Sequence, residues 1–578
     1  MAQTRPRFHK RLHNILREAW RIAGPYWFSE EKWSALGLLV LVTALNLAVV
    51  GMNVRFNYWY RDFYDTIQNL DQAGFYRQIW IFAGLASLWM VIAISVEFLT
   101  SLLQIRWRRW LNTHYLKRWL SHRAYYRLQL TGDTDNPDQR IAEDIKQFIE
   151  TTFGLTLLLV RRVVSLFTFL AILWSVSGPI TIGSVTIPDY MVWLTLVYAI
   201  VGTVLVLKIG RPLIGLRFSQ QRFEADYRFS LVRLREHTES VAFYGGEARE
   251  HETFELRFAD VFRNFIAIMW RTLKLGSFVF GFNQASVLFP YLVQAPRFFA
   301  KEIQLGVLRQ TADAFDQVLT SLSFIINSYE TIAQWQAIIQ RLATFENRIE
   351  EIEAGADNTG DVVLSHDGPA VAVDDLTIDL PNGKRLLTGV HFEADARHPL
   401  LITGRNGLGK STVLRALSGL WPFGSGKVRL PEGRVFFVPQ KPYLPLGTLR
   451  MALAYPEDGM HIPDATLQAA LRQVGLSTLE GELDTVDLWA QRLSVGEQQR
   501  LAFARVLLAE PKIIFLDEAT SALDEATEAQ FYRMLREAPW HPTVISVGHR
   551  GTLRALHERV LDLSVFSAER AAAAPAAS

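Results

Sequence analysis

The sequence predicts an all-α membrane domain followed by an α/β domain. Six apolar segments long enough to span a bilayer occur before residue 336, and basic residues are concentrated in alternate connections between them. Beyond residue 347, short β-like apolar runs alternate with helical patterns, which is typical of a parallel sheet covered by helices. The predicted organisation is an amphipathic helix (1–33), a six-span domain with long intracellular helices (34–346), a linker (347–368), the α/β domain (369–565) and a disordered tail (566–578).

The N-terminal stretch, residues 1–24, spreads basic residues among apolar ones at helical spacing. No short apolar core with a small-residue cleavage site follows, so the stretch is not a signal peptide. We expect a cytosolic helix that lies on the membrane surface in contact with lipid. A plain soluble helix is the alternative.

The apolar segments are the predicted spans, because a helix needs about 20 residues to cross the hydrocarbon core of a bilayer. Six spans place both termini on the same side of the membrane. A large soluble domain with very apolar helices is the alternative. The predicted spans are Ala35–Val54, Ile79–Leu103, Phe153–Gly178, Tyr190–Gly210, Phe265–Val293 and a weaker one at Phe315–Trp335.

Basic residues in the connections predict the orientation. Residues 105–150 and 208–264 are rich in Arg and Lys, whereas residues 177–189 contain neither. By the positive-inside rule, the two basic connections and both termini are cytoplasmic. Both connections keep helical apolar spacing, so we expect helices that continue into the cytosol. Breaks at Asn136-Pro137 and Gly245-Gly246 are candidate docking points for the second domain, or ordinary helix ends.

The α/β domain carries a phosphate-binding motif. The runs LLIT, VFFVP, IIFLD and TVISVG predict buried parallel strands, and the first leads into GRNGLGKS. In this G-x-x-x-x-G-K-[ST] pattern, glycines let backbone N–H groups wrap phosphates, Lys410 contacts the β- and γ-phosphates, and Ser411 suits Mg²⁺. The residues predicted to bind ATP are Gly404, Arg405, Asn406, Gly407, Gly409, Lys410, Ser411, Thr412 and Asp517. The residues predicted to bind Mg²⁺ are Ser411, Gln440 and Asp517.

Candidate catalytic residues follow the other strands. Asp517 ends IIFLD, where it can hold Mg²⁺ through water, and Glu518 can orient or deprotonate the attacking water. Gln440 follows VFFVP and can touch both Mg²⁺ and water. His549 follows TVISVG and can reach the γ-phosphate, although by itself it would be an ordinary surface histidine. The ordered set predicts ATP hydrolysis with Glu518, His549 and Gln440 as catalytic residues.

The order of these motifs resembles the nucleotide-binding domain of ABC transporters. LSVGEQQR lies between Gln440 and Asp517, and SALD follows Glu518. The resemblance implies that the signature loop and D-loop contact ATP held by a second copy, and therefore a homodimer that two ATP molecules close. The residues implied in this contact are Ser494, Val495, Gly496, Glu497 and Asp524.

One departure from the ABC pattern concerns adenine, which ABC domains commonly stack on an aromatic residue ahead of the phosphate-binding loop. The corresponding region here offers Leu380 and Pro381 but no aromatic side chain. We therefore expect apolar contact to hold adenine, with loose discrimination between nucleotides.

Segments of the membrane half, including NYWYRDFYDTIQ, DNPDQRIAEDI and ESVAFYGGE, resemble BacA/SbmA-related transporters with a fused ATPase domain. LSGLWPFGSG resembles the related peroxisomal acyl-CoA half-transporters. The resemblance implies a homodimer with an ABC exporter-type fold in a bacterial inner membrane. It further implies import of peptides, including antimicrobial ones, or of hydrophilic molecules such as cobalamin. Transport of acyl-CoA or lipid and export of drugs are the alternatives.

Polar side chains inside the predicted spans are candidates for the wall of a transport cavity, because exposing them to lipid is costly. Glu97 is either a proton site, as in relatives that lack the ATPase domain and are driven by protons, or the partner of an arginine inside the bundle. Arg271 and Lys274 are expected in the cytosolic extension. The cavity candidates are Glu97, Arg161, Arg162, Asn283 and Gln284.

Composition and hydropathy exclude several classes of function. The chain has no cysteine, which excludes disulfides, thiolate metal sites and cysteine nucleophiles. A formal net charge of +2 gives no support for a nucleic-acid partner. The six apolar segments argue against an ABC-type ATPase that has no transport function.

Overall fold

The computed structural model describes residues 8–131, 136–182, 185–324, 328–354 and 362–568. The chain divides into two compact units. The first comprises Met1–Tyr125 and Thr134–Ile349, and the second comprises Tyr126–Asp133 and Glu350–Ser578. Most of the predicted tail, from residue 569 onward, lies outside the described residues.

Long helices dominate the chain up to residue 354. They are α1 (Phe8–Trp27), α2 (Lys32–Gln68), α3 (Gln72–Leu120), α4 (Ala124–Thr131), α5 (Pro137–Gln139), α6 (Ile145–Ser177), α7 (Tyr190–Glu236), α8 (Thr238–Tyr244), α9 (Glu247–Phe299), α10 (Leu305–Leu322) and α11 (Tyr329–Ala354). A 3₁₀ turn, Ser121–Arg123, precedes α4, and a π-helical turn, Arg140–Asp144, precedes α6. Strands β1 (Ile180–Ile182) and β2 (Val185–Ile187) form an antiparallel hairpin between α6 and α7.

The first five predicted spans each coincide with a helix of spanning length, and only Gly178, the last residue of the third span, lies just beyond its helix. Among the described residues, five helical segments are long and apolar enough to cross a membrane, namely Lys32–Gln68, Gln72–Leu130, Pro137–Ser177, Tyr190–Glu236 and Glu247–Phe299.

The weaker sixth span, predicted at Phe315–Trp335, is not one helix in the part of the chain that the structure describes. Helix α10 ends at Leu322 and α11 begins at Tyr329, while residues 325–327 lie outside the described residues. Arg309, Asp313 and Asp316 make α10 much less apolar than the other spans.

Several helices are longer than a bilayer requires. Helix α9 has 53 residues; at about 1.5 Å per residue it extends about 80 Å, against the roughly 30 Å of a hydrocarbon core. The predicted breaks are present as well. Asn136 has a φ of 42° immediately before α5, and Gly245 has a φ of 61° at the end of α8. These helices are therefore longer than the membrane is thick and turn at the two predicted places, while the location of their extensions in the cytosol stays a prediction.

The core of the first unit forms around α10, which packs against α2, α6 and α9. Phe315, Val318 and Ala314 of α10 are fully buried in one apolar cluster with side chains of α6 and α7. Helices α7 and α9 pack closely, because a Cβ at Gly202 would lie 2.2 Å from the Phe282 ring. Glycine is therefore required at residue 202 for this approach.

Two buried carboxylates tie α11 to its neighbours. Asp144, 2% exposed, accepts hydrogen bonds from Arg341 Nε at 2.9 Å and Nη2 at 2.6 Å, and it also pairs with Arg140. Glu346, 5% exposed, pairs with Arg118 of α3 at 3.3 Å and with Arg21 of α1 at 3.5 Å. These pairs hold α1, α3, the π-helical turn and α11 as one assembly.

Helix α1 presents one buried face to the rest of the first unit. Ile22 and Tyr26 are almost fully buried, and the Tyr26 ring stacks on Trp107 of α3 with centroids 5.9 Å apart. Leu16 and Trp20 lie on the opposite face and are more than half exposed. The helix is amphipathic in the predicted sense, with apolar groups left open on its outer side; its contact with lipid stays a prediction.

The second unit combines two sheets with short helices. Its strands are β3 (Val362–Ser365), β4 (Val371–Asp379), β5 (Arg385–Ala394), β6 (Leu400–Thr403), β7 (Gly424–Arg429), β8 (Val435–Val438), β9 (Gly447–Thr448), β10 (Val486–Asp487), β11 (Ile513–Asp517), β12 (Thr543–Val547) and β13 (Arg559–Asp562). Its helices are α12 (Lys410–Leu417), α13 (Leu449–Ala454), α14 (Asp464–Gln473), α15 (Trp489–Arg492), α16 (Val495–Ala509), α17 (Glu525–Arg536) and α18 (Gly551–Leu556), with 3₁₀ turns at Ser477–Glu482 and Leu563–Phe566.

The four predicted strands form a parallel sheet. Its strand order is β13-β6-β12-β11-β8, and every neighbouring pair is parallel. One apolar core lies between this sheet and the second sheet, β3-β7-β4-β5, and another lies between the parallel sheet and helices α14, α16 and α17. Burial on both faces explains why these strands read as continuous apolar runs.

The predicted linker, 347–368, is partly regular structure. Helix α11 continues to Ala354 because its apolar face extends into the predicted linker, where Ile349 is completely buried. Strand β3 occupies Val362–Ser365. Residues 355–361 of the linker lie outside the described residues. At the other end, the first residues of the predicted tail are structured, since the turn Leu563–Phe566 is followed by a bridge between Ser567 and Leu387.

The segment Tyr126–Asp133 groups with the second unit although it comes from the first basic connection. Leu130, in helix α4, packs against the apolar core between the two sheets. Docking at the break of Asn136-Pro137 stays a prediction; the contact that the structure shows is made by Leu130, six residues before that break.

We expect Asp144→Ala to destabilise the protein by about 3 kcal/mol, because removing one partner leaves buried guanidinium groups without their counter-charge. Thermal unfolding of the detergent-solubilised protein measures the effect. Glu150→Ala is the matched control, since its pair with Lys146 is exposed and 3.9 Å long. Equal unfolding midpoints for the two variants would contradict the prediction.

Candidate functional site

Four parallel strands deliver the predicted site residues to one edge of the sheet. Strand β6 leads into the loop at Gly404–Gly409, and β8 is followed closely by Gln440. Strand β11 ends at Asp517, and His549 follows β12. Because carboxyl ends of parallel strands meet at the same edge, residues separated by more than a hundred positions come together there.

The loop before α12 is built by glycines in unusual conformations. Gly404, Gly407 and Gly409 have φ values of 147°, 77° and 104°, which other residues rarely adopt. The Lys410 amine donates to the backbone oxygens of Gly404 at 3.0 Å and Arg405 at 3.2 Å, so it spans the loop that it follows. Burial lowers the pKa of Lys410, while the carboxylates of Glu518 and Asp517 oppose that change. This cationic loop at a helix N-terminus suits a phosphate chain.

Ser411 and Asp517 form a pair of oxygen groups beside the loop. The Ser411 hydroxyl donates to Asp517 Oδ1 at 2.9 Å. Burial raises the pKa of Asp517, and its hydrogen bond from Ser411 opposes this. A hydroxyl and a carboxylate in mutual reach are ligands that Mg²⁺ prefers, so the residues present fit Mg²⁺ as the partner of ATP.

Glu518 is held from two sides. Gln440 Nε2 donates to Glu518 Oε2 at 3.0 Å, and His549 Nε2 lies 3.4 Å from Oε1. The Glu518 N–H donates to the Val547 oxygen at 3.0 Å, and its φ of 49° turns the chain sharply after β11. The structure thus brings the three predicted catalytic residues, Glu518, Gln440 and His549, into one cluster.

The signature loop opens α16 with a capping box. The Ser494 hydroxyl accepts from the Glu497 N–H at 3.3 Å, and Glu497 Oε2 accepts from the Ser494 N–H at 2.9 Å. Hydrogen bonds from the Ser494 hydroxyl and backbone lower the pKa of Glu497. Ser494 and Val495 are exposed. Among the residues described here, no hydrogen bond joins this loop to the phosphate-binding loop of the same chain.

The D-loop, Ser521–Asp524, packs beside the signature loop. Asp524 caps α17 by accepting from the Thr527 N–H at 2.9 Å. A Cβ at Gly496 would lie 3.2 Å from the Ala522 oxygen, tighter than most such contacts, so glycine there favours the close approach of the two loops.

The predicted adenine region is the turn between β4 and β5. The Leu380 N–H donates to the Lys384 oxygen at 2.8 Å, and Arg385 pairs with Asp379 at 2.9 Å across the turn. Leu380 itself packs against the core between the sheets. Apolar contact between adenine and Leu380 or Pro381 stays a prediction.

Two residues of the site were missed from sequence. Gln499 is completely buried and hydrogen-bonds both the Gln440 oxygen and the D-loop. Arg550 donates to the Leu523 oxygen at 2.7 Å and to the Ser521 oxygen at 2.5 Å. The available signal for Gln499 was an amide side chain within an otherwise apolar helix face, and for Arg550 its position next to His549.

The residues predicted to line a transport cavity do not form one cluster among the described residues. Glu97, Asn283 and Gln284 are exposed on the single chain. No salt bridge to Glu97 forms within the described ranges, so pairing with an arginine of the same chain receives no support. Arg161 and Arg162 lie half-buried on α6.

A polar face of α10 was missed from sequence. Arg309 lies over the Tyr60 ring, 4.7 Å from its centroid, and Asp313 accepts from Asn57 Nδ2 at 2.7 Å. Asp316, one helical turn beyond Asp313, is exposed. The weak hydropathy of α10 was the signal that its charges have a specific role.

The chain matches two family models. ABC transporter transmembrane region 2 matches residues 25–299, and ABC transporter matches residues 387–521. The structure is similar to that of a bacterial Atm1-family ABC exporter with ATP bound, with a TM-score of 0.68 and 20% identity over 92% of this chain and 94% of that one. This likeness shows the ABC exporter-type fold.

Two relatives align over almost the entire chain. An uncharacterized ABC transporter ATP-binding protein of Haemophilus influenzae is 36% identical over 95% of this chain and 92% of its own length. The human lysosomal cobalamin transporter ABCD4 is 28% identical over 92% of both chains. The chain therefore belongs to the ABC transporter family, as a half-transporter related to the D subfamily whose ATPase domain couples ATP hydrolysis to transport across a membrane.

Proposed function

We propose that the protein imports hydrophilic compounds, peptides or cobalamin-like molecules, as a homodimer in a bacterial inner membrane with both termini in the cytoplasm. The observation that carries the hydrophilic cargo is the polar face of α10, where Arg309, Asp313 and Asp316 lie in a membrane domain. Similarity to a lysosomal cobalamin transporter and the resemblance of the membrane half to BacA/SbmA-related transporters support this cargo class. An Escherichia coli relative, 32% identical over 93% of this chain and named as an inner membrane ABC transporter ATP-binding protein, supports the location.

In the proposed ATP site, Lys410 and the backbone N–H groups of Gly404–Gly409 hold the phosphates, and Ser411 and Asp517 hold Mg²⁺. Mg²⁺ supplies charge neutralisation for the transferred phosphoryl group. Glu518 orients and polarises the attacking water, while Gln440 and His549 hold the two oxygens of its carboxylate. Positioning by these neighbours is the main contribution that phosphoryl transfer requires of the protein.

The exposed signature loop supports the homodimer. Its first residues, Ser494 and Val495, are exposed at the N-terminus of α16, and the N-terminus of a helix suits an anion. We propose that this anion is the γ-phosphate of ATP held by the second copy. Phe243 and Tyr244, at the end of α8, are 81% and 88% exposed, and we propose that they contact the ATPase domain of that copy.

The charged side chains of α10 lie on one side of the helix. Arg309 and Asp313 are half-buried there against α2, and Asp316 is exposed. Gln310, Phe315 and Val318, on other sides of the helix, are fully buried. Ionisable side chains at membrane depth face a bundle interior or an aqueous cavity. The charged side carries both signs of charge, which suits peptides and other zwitterionic cargo better than an acyl chain.

Glu518→Gln should bind ATP with wild-type affinity and hydrolyse it at least about 100-fold more slowly, because a neutral amide cannot accept the proton of the attacking water. Steady-state phosphate release and nucleotide binding on the purified protein measure the two effects. Glu432→Gln, an exposed acid ahead of β8, is the control and should retain full activity. Full hydrolysis by Glu518→Gln would refute the assigned role.

The homodimer can be tested with thiols, because the natural chain has no cysteine. Asn406→Cys and Val495→Cys, both at exposed positions, are combined in the Glu518→Gln background. We expect oxidation to link two chains only when ATP and Mg²⁺ are present, since closure brings the loop of one copy to the signature of the other. Either single-cysteine variant serves as the control. Cross-linking to the same extent with and without ATP would count against the closed homodimer.

Uptake in a bacterial strain that lacks its own system tests the cargo. We expect wild type to accumulate a fluorescent antimicrobial peptide or labelled cobalamin, and Glu518→Gln to accumulate neither. The double variant Asp313→Asn, Asp316→Asn should lose about tenfold or more of the uptake rate while hydrolysing ATP, because the charged face loses its two carboxylates and keeps only the Arg309 cation. Asp260→Asn, an exposed acid paired with Arg263, is the control.

The other outcomes of this assay separate the alternatives. Uptake by wild type and Glu518→Gln alike would indicate a proton-driven or leak pathway, with Glu97 as the next residue to change. Absence of uptake in every variant would contradict the proposed cargo and favour acyl-CoA, lipid or export.

A further inference from the structure

Gln499 connects three functional segments of the ATPase domain with one side chain. It lies on α16, five residues after Ser494, and it is completely buried. Its Nε2 donates to the Gln440 backbone oxygen at 2.9 Å and to the Ser521 hydroxyl at 3.2 Å. Its Oε1 accepts from the Ala522 N–H at 3.0 Å. Both amide atoms of Gln499 are therefore engaged by loops outside its own helix.

The segments that Gln499 joins have separate tasks. Gln440 begins the loop after β8 and reaches Glu518 with its side chain at 3.0 Å. Ser521 and Ala522 belong to the D-loop, which begins three residues after Glu518. Helix α16 opens with the exposed signature loop. One buried amide thus joins the loop after β8, the D-loop and the signature helix.

Arg550 holds the D-loop from the opposite side. Its guanidinium donates to the Leu523 oxygen at 2.7 Å and to the Ser521 oxygen at 2.5 Å. Arg550 directly follows His549, which lies 3.4 Å from Glu518. The D-loop is thus held between α16 and the loop after β12, and both anchors lead back to the two groups that flank the Glu518 carboxylate.

We propose that Gln499 is a positioning residue for ATP hydrolysis, which fixes the loop of Gln440 and the D-loop relative to the signature helix. It does not touch the phosphate-binding loop, so it sets the orientation of Glu518 and its partners without contributing to ATP affinity. In the homodimer, whose existence rests on the function proposed above, the same contacts link the signature loop that serves the partner's ATP to the hydrolytic groups of its own site.

The neighbouring residue offers a matched control. Gln498 is also buried on α16, at 3% exposed, but its Nε2 donates to the Ala490 and Leu493 oxygens, which belong to the segment before the helix. Gln498→Leu and Gln499→Leu remove the same amide from adjacent buried positions. Only the second change disconnects the loops around Glu518.

The test compares ATP hydrolysis and thermal unfolding of the two full-length variants. For Gln499→Leu we expect kcat to fall about tenfold or more while KM for ATP changes less than about threefold, because small misplacements of positioned groups cost rate rather than binding. For Gln498→Leu we expect kcat within about threefold of wild type at a similar unfolding midpoint. Equal losses of kcat in both variants, or an unchanged kcat in Gln499→Leu, would overturn the proposal.

The thiol pair Asn406→Cys and Val495→Cys distinguishes this proposal from the homodimer. If ATP-dependent linkage forms with Gln499→Leu as it does without it, closure is intact and the loss of kcat arises after closure, as proposed. Linkage lost only with Gln499→Leu would overturn the positioning role, since the residue would then act in closure. Linkage absent from every variant would count against the homodimer, while the KM and kcat comparison would still decide the role of Gln499.

Discussion

Parallel pairing of the central strands is the interaction on which the ATP site depends. In the register observed, Asp517 lies opposite Val547, and Val547 lies opposite Ile402, so β6, β12 and β11 end at the same level. The Glu518 N–H continues this pairing by donating to the Val547 oxygen. A shift of one residue would turn each side chain to the opposite face of the sheet and separate Asp517 from Ser411. Apolar burial on both faces fixes that register and thereby the chemistry at its edge.

A different constraint applies to the membrane half, where charged side chains must be clustered rather than scattered over the helices. Helix α10 carries Arg309, Asp313 and Asp316 on one face, and its other faces are buried. Elsewhere in the same unit, Asp144 and Glu346 form buried pairs with arginines from several helices. The charged face of α10 is available to contact a cargo. The buried pairs of Asp144 and Glu346 instead hold the helices rigidly together.

Sequence reasoning succeeded where a local pattern determines the structure. A few neighbouring residues determine the conformation of three such features. They are the glycine loop before Lys410, the apolar run that ends at Asp517 and the long apolar helices. The bounds of the sixth span were wrong because α10 obtains its place from packing against α2, α6, α7 and α9, and its charged residues weaken the hydropathy that marks a span. For a related reason, the sequence did not predict the roles of Gln499, Arg550 and the partners of Asp144. Their roles are defined by backbone atoms or charges distant in sequence, which no spacing rule encodes.

The grouping of Tyr126–Asp133 with the α/β unit has a consequence for how such proteins can be divided. An ATPase fragment that starts at Glu350 would lack helix α4, and the apolar surface against which Leu130 packs would face water. Recombination between related transporters would meet the same difficulty, because an exchanged ATPase domain must accept the α4 of its new host. Leu130 and its apolar neighbours are thus expected to vary together, as complementary surfaces of two modules that the gene places far apart.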